Sequence, residues 1–329
     1  MQVIWKARAV AKLQKAVMKV TFPFLVLTQK ISRTYTSQKM MKKMAKSDGV
    51  NVLPFTTRVG AVSGVAEDDT AKDFFQLFIP DELLDMIVEE TNRYARQCIA
   101  RKPDPKWQNR SRKEMQAFFG LHVLFRYHNL PETSLYWSKD KTLGVAFVKR
   151  VMPRDRFDKL TQYLHLNNNE NAIPRGQPNH DKLFKVRPFL EAVVKACQEE
   201  YRPRQNLSVD EAMVAFKGQL SMKQYVPLNP IKRGIKVWEC ADSSNCYVYI
   251  LQVYTGRQDG SVTEHGLGYR LVRELSEPFI GKHHHIFCDN FFTSIKLACD
   301  LLRDGRYIHS NRRGFPNSLS PQTAEVKGL

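Results

Sequence analysis

The feature that most constrains the fold is a change of hydrophobic periodicity at Pro203. Before this proline, apolar residues recur every three to four positions, which is typical of amphipathic helices. After it, short apolar runs are separated by turn residues, which predicts strands. With 329 residues the chain is long enough for about two domains. The two patterns therefore predict a helical region over residues 73–202 and a mixed α/β region over residues 203–329.

The helical region contains four predicted helices, and prolines mark the start of three of them. Proline suits the first turn of a helix because the N–H that it lacks would have no partner there. Asp81 and Glu82 follow Pro80, as expected for the N-terminal turn of a helix. The predicted helices begin at Pro80, near residue 117, at Pro153 and at Pro188, and the last ends before Pro203.

The second region alternates between strands and helices. We predict strands over residues 207–216, 235–241, 246–254, 284–288 and 306–310, and helices over residues 266–277 and 290–302. In the second of these helices, Phe291 and Ile295 are expected to face the core. The order β-β-β-α-β-α-β is that of an RNase H-like fold. The expected fold class is therefore α/β, with a helical N-terminal region before an RNase H-like core.

This topology brings two aspartates together. The first and fourth strands of such a sheet are neighbours, so Asp210 on the first and Asp289 after the fourth are expected to point into one crevice. Facing carboxylates repel unless divalent cations bridge them, and Mg²⁺ accepts such oxygen ligands. A metal pair about 3.5–4 Å apart can activate a water or a 3′-OH for phosphodiester displacement. Two simpler roles stay open: a helix N-cap for Asp289 and a solvated strand position for Asp210.

Both aspartates lie inside longer motifs. The sequence reads SVDEAMVAFKG over residues 208–218, RGIKVW over 233–238 and CDNFFTS over 288–294. Further blocks follow in order upstream and downstream of these three, at residues 74–94, 136–138, 154–166 and 310–316. Together, over about residues 73–316, the blocks resemble the piggyBac transposase family.

The resemblance implies cut-and-paste transposition of double-stranded DNA. Members of that family, or host proteins derived from them, cleave transposon ends and join them to TTAA targets, using an aspartate triad and Mg²⁺ (or Mn²⁺). Asp210 and Asp289 match the first two catalytic aspartates, each a metal ligand. In the family, the third aspartate follows the last matched block. The DDE-type core is therefore expected to be incomplete, truncated at its C-terminus, and weak or inactive in cleavage.

An excess of basic residues favours a nucleic-acid partner. Lys and Arg number 51 against 33 Asp and Glu, and residues 1–47 contain eleven basic residues and no acidic one. Basic side chains near the aspartates would neutralise phosphates, although a solvated basic face is the alternative. These DNA-binding candidates are Lys217, Lys223, Lys232, Arg233, Lys236, Arg312 and Arg313. Tyr225 and Trp238 are candidates for base stacking, with core packing favoured for Trp238.

Several expectations concern the chain as a whole. A non-enzymatic protein that binds DNA or another partner is the alternative to a transposase-derived enzyme, and a homodimer stays open. Residues 1–72 are predicted to be a disordered basic tail and linker, with the nucleus as the expected location and a mitochondrial transit peptide as the alternative. No apolar run approaches the roughly 20 residues that span a bilayer. The run of His283, His284 and His285 is predicted to lie on an exposed strand edge.

Overall fold

The computed structural model describes residues 52–64, 68–140, 142–216, 218–227, 229–256 and 266–309. The basic tail over residues 1–47 and the candidates Lys217, Arg312 and Arg313 lie outside the described residues. The chain divides into two compact units. The first contains the described residues between 68 and 196, with 216 and 218–221; the second contains those over 52–64 and 197–215, and from 222 onwards. The domain boundaries predicted at residues 72 and 202 stay predictions.

Four helices of the first unit begin at polar caps or prolines. Thr70 and Ser111 each accept a hydrogen bond from the backbone of the third residue of the helix that follows, and an acidic side chain there bonds back. Pro80 and Pro153 each occupy the N-cap position of the predicted helix that follows them. The helices are α1 (Ala71–Phe78), α2 (Asp81–Arg101), α3 (Arg112–Tyr127), α4 (Ala146–Val151), α5 (Arg154–Tyr163) and α6 (Arg187–Glu200). The four predicted helices are confirmed, and α1 and α4 are additional.

Aromatic rings hold the first unit together. Phe118 and Phe119 of α3 are fully buried, and the ring of Phe118 lies 5.0 Å from that of Phe157 on α5. The ring of Phe119 stacks 6.2 Å from that of Phe189 on α6. None of the helices in the described part of the chain is both long enough and apolar enough to cross a membrane.

The second unit is built around a six-stranded mixed sheet. The strands among the described residues are β1 (Gly60–Ala61), β2 (Tyr201–Arg202), β3 (Asn206–Ala215), β4 (Lys223–Tyr225), β5 (Arg233–Asp242), β6 (Val248–Val253), β7 (His285–Cys288) and β8 (Tyr307–His309). The sheet order is β4-β5-β3-β7-β8, and β6 pairs with β5. Strand β3 is antiparallel to β5 and parallel to β7, so the predicted pairing of the first and fourth strands is confirmed. Short β4 was missed.

One face of this sheet is covered by two helices, α7 (Gly266–Leu275) and α8 (Ile295–Arg303). The buried cluster on that face combines strand and helix residues: Leu207, Val209, Trp238, Cys240, Leu271, Leu275, Ile286, Leu297 and Leu301. Because side chains alternate along a strand, Asp210 and Glu239 belong to the opposite face. The helices therefore stabilise the sheet from one face. The two acidic side chains lie on the other face, where Ile235 and Val237 are also buried.

Residues 52–64 differ from the linker that the sequence predicts. Strand β1 pairs antiparallel with β2, and the N–H of Val62 donates to the carbonyl of Glu200 at 3.0 Å. The N–H of Leu53 donates to the hydroxyl of Tyr307 on β8 at 3.0 Å. A two-residue strand is too short to show an alternating pattern, which is why the sequence did not indicate it.

The start of the last helix is also a correction. Helix α8 begins at Ile295 rather than near residue 290, because Ser294 caps it by accepting the N–H of Leu297 at 3.1 Å. The preceding residues form a turn closed by Asp289. As a result Phe291 and Ile295, expected in the core, are 59% and 54% exposed.

Candidate metal centre and nucleic-acid surface

Strand pairing places Asp210 and Asp289 beside each other. In the parallel register of β3 and β7, Val209 lies opposite Cys288, so each aspartate is the next residue along its strand. The pKa of Asp210 is raised, mainly because its carboxyl group is partly desolvated and also because the negative charge of Asp289 is close. Both side chains keep an exposed surface. A partly exposed carboxylate pair on neighbouring inner strands can accept a cation.

Backbone hydrogen bonds orient the two carboxylates. The N–H of Glu211 donates to Asp210 Oδ1 at 2.7 Å, and the N–H of Phe291 donates to Asp289 Oδ1 at 2.9 Å. Thr293 tightens the same turn by donating its hydroxyl to the carbonyl of Asp289 at 2.9 Å. The hydrogen bonds that the structure assigns to these carboxylates from described residues all involve Oδ1. Asp289 therefore closes a turn and is not the N-cap of α8, the alternative considered from the sequence.

A glycine allows the turn after Asp289 to approach α7. A Cβ atom built on Gly268 would lie 2.8 Å from the carbonyl oxygen of Phe291 and 3.0 Å from the Cα of Phe292. Both distances are shorter than ordinary contacts, and both neighbours are backbone. Gly268 therefore lets α7 support the turn that holds the Asp289 carboxylate in place.

Glu239 is a site residue that the sequence reasoning missed. It is the Cα partner of Asp210 in the antiparallel pairing of β3 and β5. Its Oε2 is buried and finds no hydrogen-bond partner among the described residues. Burial, with the nearby charge of Asp210, raises the pKa of Glu239 to about 7. The available signal was an acidic residue flanked by the apolar residues Trp238 and Cys240 in a central strand.

The described basic candidates are the exposed Lys232 and Arg233, the half-buried Lys223, and Lys236, which is paired inside the protein. Arg233 lies over the ring of Tyr225 at 5.2 Å, across the pairing of β4 and β5, and Tyr225 is 60% exposed. Lys232 is exposed beside them, and Lys223 is half-buried on β4. We call Tyr225, Lys232 and Arg233 the β4–β5 patch. A planar cation stacked on an exposed aromatic ring is a common way to hold nucleic-acid phosphates and bases.

Lys236 is engaged inside the protein. Its ammonium group forms an ion pair with Glu211 and lies 4.0 Å from the centroid of the Trp238 ring. Trp238 is 2% exposed, so its predicted core role holds and it is not available to stack on bases. Because its charge is already matched, Lys236 does not contribute to the β4–β5 patch.

The expectation for the histidine run is wrong. His284 is 1% exposed and His285 is 8% exposed, because β8 pairs with β7 and makes β7 an inner strand. His285 Nδ1 lies 3.1 Å from His309 Nε2. Burial lowers the pKa of His284 and of His285 to about 4, and that of His309 to about 3. These imidazoles are neutral packing groups at neutral pH.

The donor set suits a hard divalent cation, although it is sparse. Within the described ranges, no three His, Cys, Asp or Glu side chains are grouped closely enough to hold a metal ion. Mg²⁺ needs fewer, because it keeps several waters and is usually held by one or two carboxylates together with substrate phosphates. Two oriented aspartates and the unpaired, buried Oε2 of Glu239 fit that requirement in ligand type.

The arrangement defines a class of protein. An RNase H-like sheet, with aspartates following neighbouring positions on β3 and β7, is the framework of DDE-type transposases, which generally use divalent metal ions. In agreement, the transposase IS4 family model matches residues 70–328. The chain belongs to the piggyBac branch of these transposases and the proteins derived from them.

Individual relatives support this assignment. The chain is 30% identical over 273 residues to human PiggyBac transposable element-derived protein 3. The aligned residues make up 81% of this chain and 44% of that protein. It is 26% identical over 285 residues to human PiggyBac transposable element-derived protein 5, and that alignment covers 79% of this chain and 52% of the relative. The chain thus spans about half the length of these curated relatives. A cryo-EM structure of a piggyBac transposase synaptic complex with hairpin DNA matches with a TM-score of 0.63 and 31% identity, over 74% of this chain and 51% of that chain.

Proposed function

We propose that this chain is a piggyBac-derived protein that binds double-stranded DNA, keeps the aspartate pair of the ancestral metal centre, and cleaves DNA weakly or not at all. The observation that carries the proposal is the pairing of Asp210 with Asp289, without a third ligand grouped beside them in the described ranges. Two metal ions need more carboxylate oxygens than two aspartates supply.

The roles proposed for the chain's own residues follow from the hydrogen bonds. Asp210 and Asp289 would hold the cation, because backbone N–H groups fix one oxygen of each and orient the other. A bound Mg²⁺ or Mn²⁺ supplies charge neutralisation at a phosphodiester and activation of a water or 3′-OH. The turn supported by Gly268 positions Asp289, and the exposed surface of the two aspartates would admit a phosphate.

DNA binding is supported by the placement of the β4–β5 patch. Arg233 pairs next to the end of β3 at Ala215, five residues from Asp210. At about 3.4 Å per residue this separation is roughly 17 Å along the strand, which corresponds to about half a turn of a B-DNA duplex. A duplex lying along β3 could therefore contact the patch and the aspartates together. The related transposase was solved with hairpin DNA, which makes duplex ends the first substrate to test.

A catalytically competent site is the second candidate, and Glu239 is the observation that favours it. A third carboxylate lies next to Asp210 in the sheet register, so metal-dependent nicking and strand transfer at transposon ends and TTAA targets remain the activity to test. The proposed function places the protein in the nucleus, where a fluorescent fusion of the intact chain should accumulate. Trimming of its N-terminus in mitochondria would contradict that location.

The experiment combines binding and cleavage on the same labelled duplex. Electrophoretic mobility shifts at 50–200 mM salt (roughly the range over which phosphate contacts weaken) measure binding, and denaturing gels with Mg²⁺ or Mn²⁺ measure nicking. We expect salt-sensitive binding and no nicking above the level of Asp210→Asn. Nicking that disappears in Asp210→Asn would instead establish the enzyme, and the absence of salt-sensitive binding would refute the DNA-binding proposal.

A double variant tests the β4–β5 patch. Lys232→Gln with Arg233→Gln should weaken duplex binding and reduce the slope of log affinity against log salt by about 1–2, since each lost phosphate contact removes about 0.9. The matched control removes two exposed charges elsewhere on the sheet unit, by Lys282→Gln with Arg303→Gln. Equal effects of the two double variants would show that net charge, and not the patch, determines binding.

A further inference from the structure

The side chain of Glu239 is half-buried, and its carboxylate oxygen Oε2 is fully buried in a way that the fold alone does not explain. It lies in the middle of β5, between Trp238 and Cys240, which are 2% and 0% exposed. Its Oε2 has no hydrogen-bond partner among the described residues. Burying a carboxyl oxygen without a partner costs free energy, and such unsatisfied groups are rare in folded proteins. An apolar side chain at this position would make the fold more stable. A ligand for the carboxylate would explain why an acidic side chain is present instead.

The sheet register directs this carboxylate to the aspartate pair. Glu239 and Asp210 are direct cross-strand partners, and the Cβ atoms of such partners lie about 4.5–5.5 Å apart on the same face. Asp289 follows β7 on the other side of β3 and interacts electrostatically with Asp210. Three neighbouring strands thus each present one carboxylate at the same level of the sheet, on the face opposite to α7 and α8.

Glu211 shows that this placement is not a general property of acids in the region. It is adjacent to Asp210 in sequence, and alternation along β3 sends it to the opposite face. There it forms an ion pair with Lys236, so its charge is matched within the protein. Both glutamates are electrostatically coupled to Asp210: the charge of Glu211 acts to raise the pKa of Asp210, and the charge of Asp210 acts to raise the pKa of Glu239. They differ in that Glu239 has no cationic partner among the described residues.

We infer that Glu239 is an additional oxygen ligand for the divalent cation that Asp210 and Asp289 would hold, an inference that rests on the proposed function. As the side chains lie, they are not yet grouped as a three-ligand set. Glu239 must therefore change rotamer to reach the cation. Its staggered side-chain torsions allow this, and the move breaks no hydrogen bond at Oε2 because none is formed there.

The inference assigns Glu239 a role that differs from a purely structural one. Without a cation, Glu239→Gln should leave the melting temperature of the sheet unit unchanged or higher, because a buried unpaired carboxyl group is removed. With Mn²⁺, the same variant should gain less thermal stability than the wild type, because a ligand has been lost. A residue needed only for packing would show a lower melting temperature under both conditions.

The test is calorimetric titration of the whole chain with MnCl₂ in the absence of DNA. The variants are Glu239→Gln, Asp210→Asn and the matched control Glu211→Gln, which removes the same charge from the opposite face. We expect Glu239→Gln to bind Mn²⁺ at least about 10-fold more weakly than the wild type, the lower end of losses seen when residues around metal ligands are removed. Glu211→Gln should stay within about 3-fold, since it is not a ligand.

Each contrary result has a separate meaning. If Glu239→Gln binds Mn²⁺ as tightly as Glu211→Gln while Asp210→Asn does not bind, the inference is wrong and the aspartate pair stands. If Asp210→Asn also binds normally, or the wild type does not bind Mn²⁺, the proposed metal centre falls and the inference with it. Circular dichroism verifies folding of each variant. Should Glu239→Gln fail to fold, Glu239→Leu places an apolar group in the strand and must show the same loss of Mn²⁺ affinity.

Discussion

Mild acid should destabilise the sheet unit, and the buried histidines give the size of the effect. His284, His285 and His309 have pKa values lowered to about 4, 4 and 3 from an ordinary value of 6.5. Between the folded and unfolded pKa values, these imidazoles are therefore protonated in the unfolded chain and neutral in the folded chain. Their contribution to stability is complete above pH 6.5 and is lost as the pH falls below it. Lowering the pH from 6.5 to 5.0 should remove about 1.6 kcal/mol per histidine, or about 5 kcal/mol for the three.

Glu239 opposes this loss. Its pKa is raised to about 7 from 4.5, so the folded chain binds a proton that the unfolded chain releases above pH 4.5. Between pH 6.5 and 5.0 this protonation should stabilise the fold by about 1.7 kcal/mol. Asp210, whose pKa is also raised, acts in the same direction. The net loss of unfolding free energy is then about 3 kcal/mol for the wild type and about 5 kcal/mol for Glu239→Gln.

The assay is urea denaturation at several pH values, read by pulsed hydrogen exchange of a peptide that contains β3. A local probe is needed because the two units need not unfold together. The same titration on His309→Phe, which replaces the imidazole by a ring that cannot be protonated, should reduce the pH dependence by about one histidine equivalent. A wild-type stability that is constant between pH 6.5 and 5.0 would refute the reasoning. So would identical pH profiles for the wild type and Glu239→Gln.

Three further predictions concern the backbone and the internal cation. Gly268→Ala should destabilise the sheet unit by about 1–3 kcal/mol, because the added methyl meets the backbone of Phe291, and calorimetry should show weaker Mn²⁺ binding. Gly234→Ala should cost at least as much, since its Cβ would lie within van der Waals overlap of a carbonyl on β3; an unchanged melting temperature would contradict this. Lys236→Met should lower stability by about 1–3 kcal/mol because its carboxylate partner loses its counter-charge, yet leave the salt dependence of DNA binding unchanged, in contrast to Arg233→Gln.

The order of elements and the meeting of the aspartates could be predicted because local patterns determine them. Hydrophobic runs, turn residues and a fixed topology were enough to bring Asp210 and Asp289 together. The start of α8 was different. Asp289 and Ser294 are both good cap residues, and periodicity cannot choose between them. The choice depends on Gly268 admitting the turn against α7, which is a contact between distant parts of the chain.

Burial of polar groups was the least predictable property. The exposure predicted for the histidine run is wrong because the sequence does not show which strand pairs with β7. Once β8 occupies that side, His285 becomes an interior residue. The contacts of Lys236 could not be predicted for the same reason. Its partners Glu211 and Trp238 are brought beside it by the pairing of β3 with β5 and by alternation along β5.

The contrast between Glu211 and Glu239 follows from that same strand pairing. On the helix-covered face, the carboxylate of Glu211 is matched by Lys236, whose ammonium group also lies over an indole ring. On the opposite face, the carboxylates of Glu239 and Asp210 are cross-strand neighbours that form no ion pair with a described lysine or arginine, although the charge of Lys236 acts to lower the pKa of Asp210. Asp289 adds a third negative charge beside Asp210. A protein selected only for stability would not keep three unmatched carboxylates together, because each raises the free energy of the others. Their retention is explained if a cation or a cation–phosphate complex neutralises them. The face of β3, β5 and β7 that carries these carboxylates is therefore where the function of this chain should be sought.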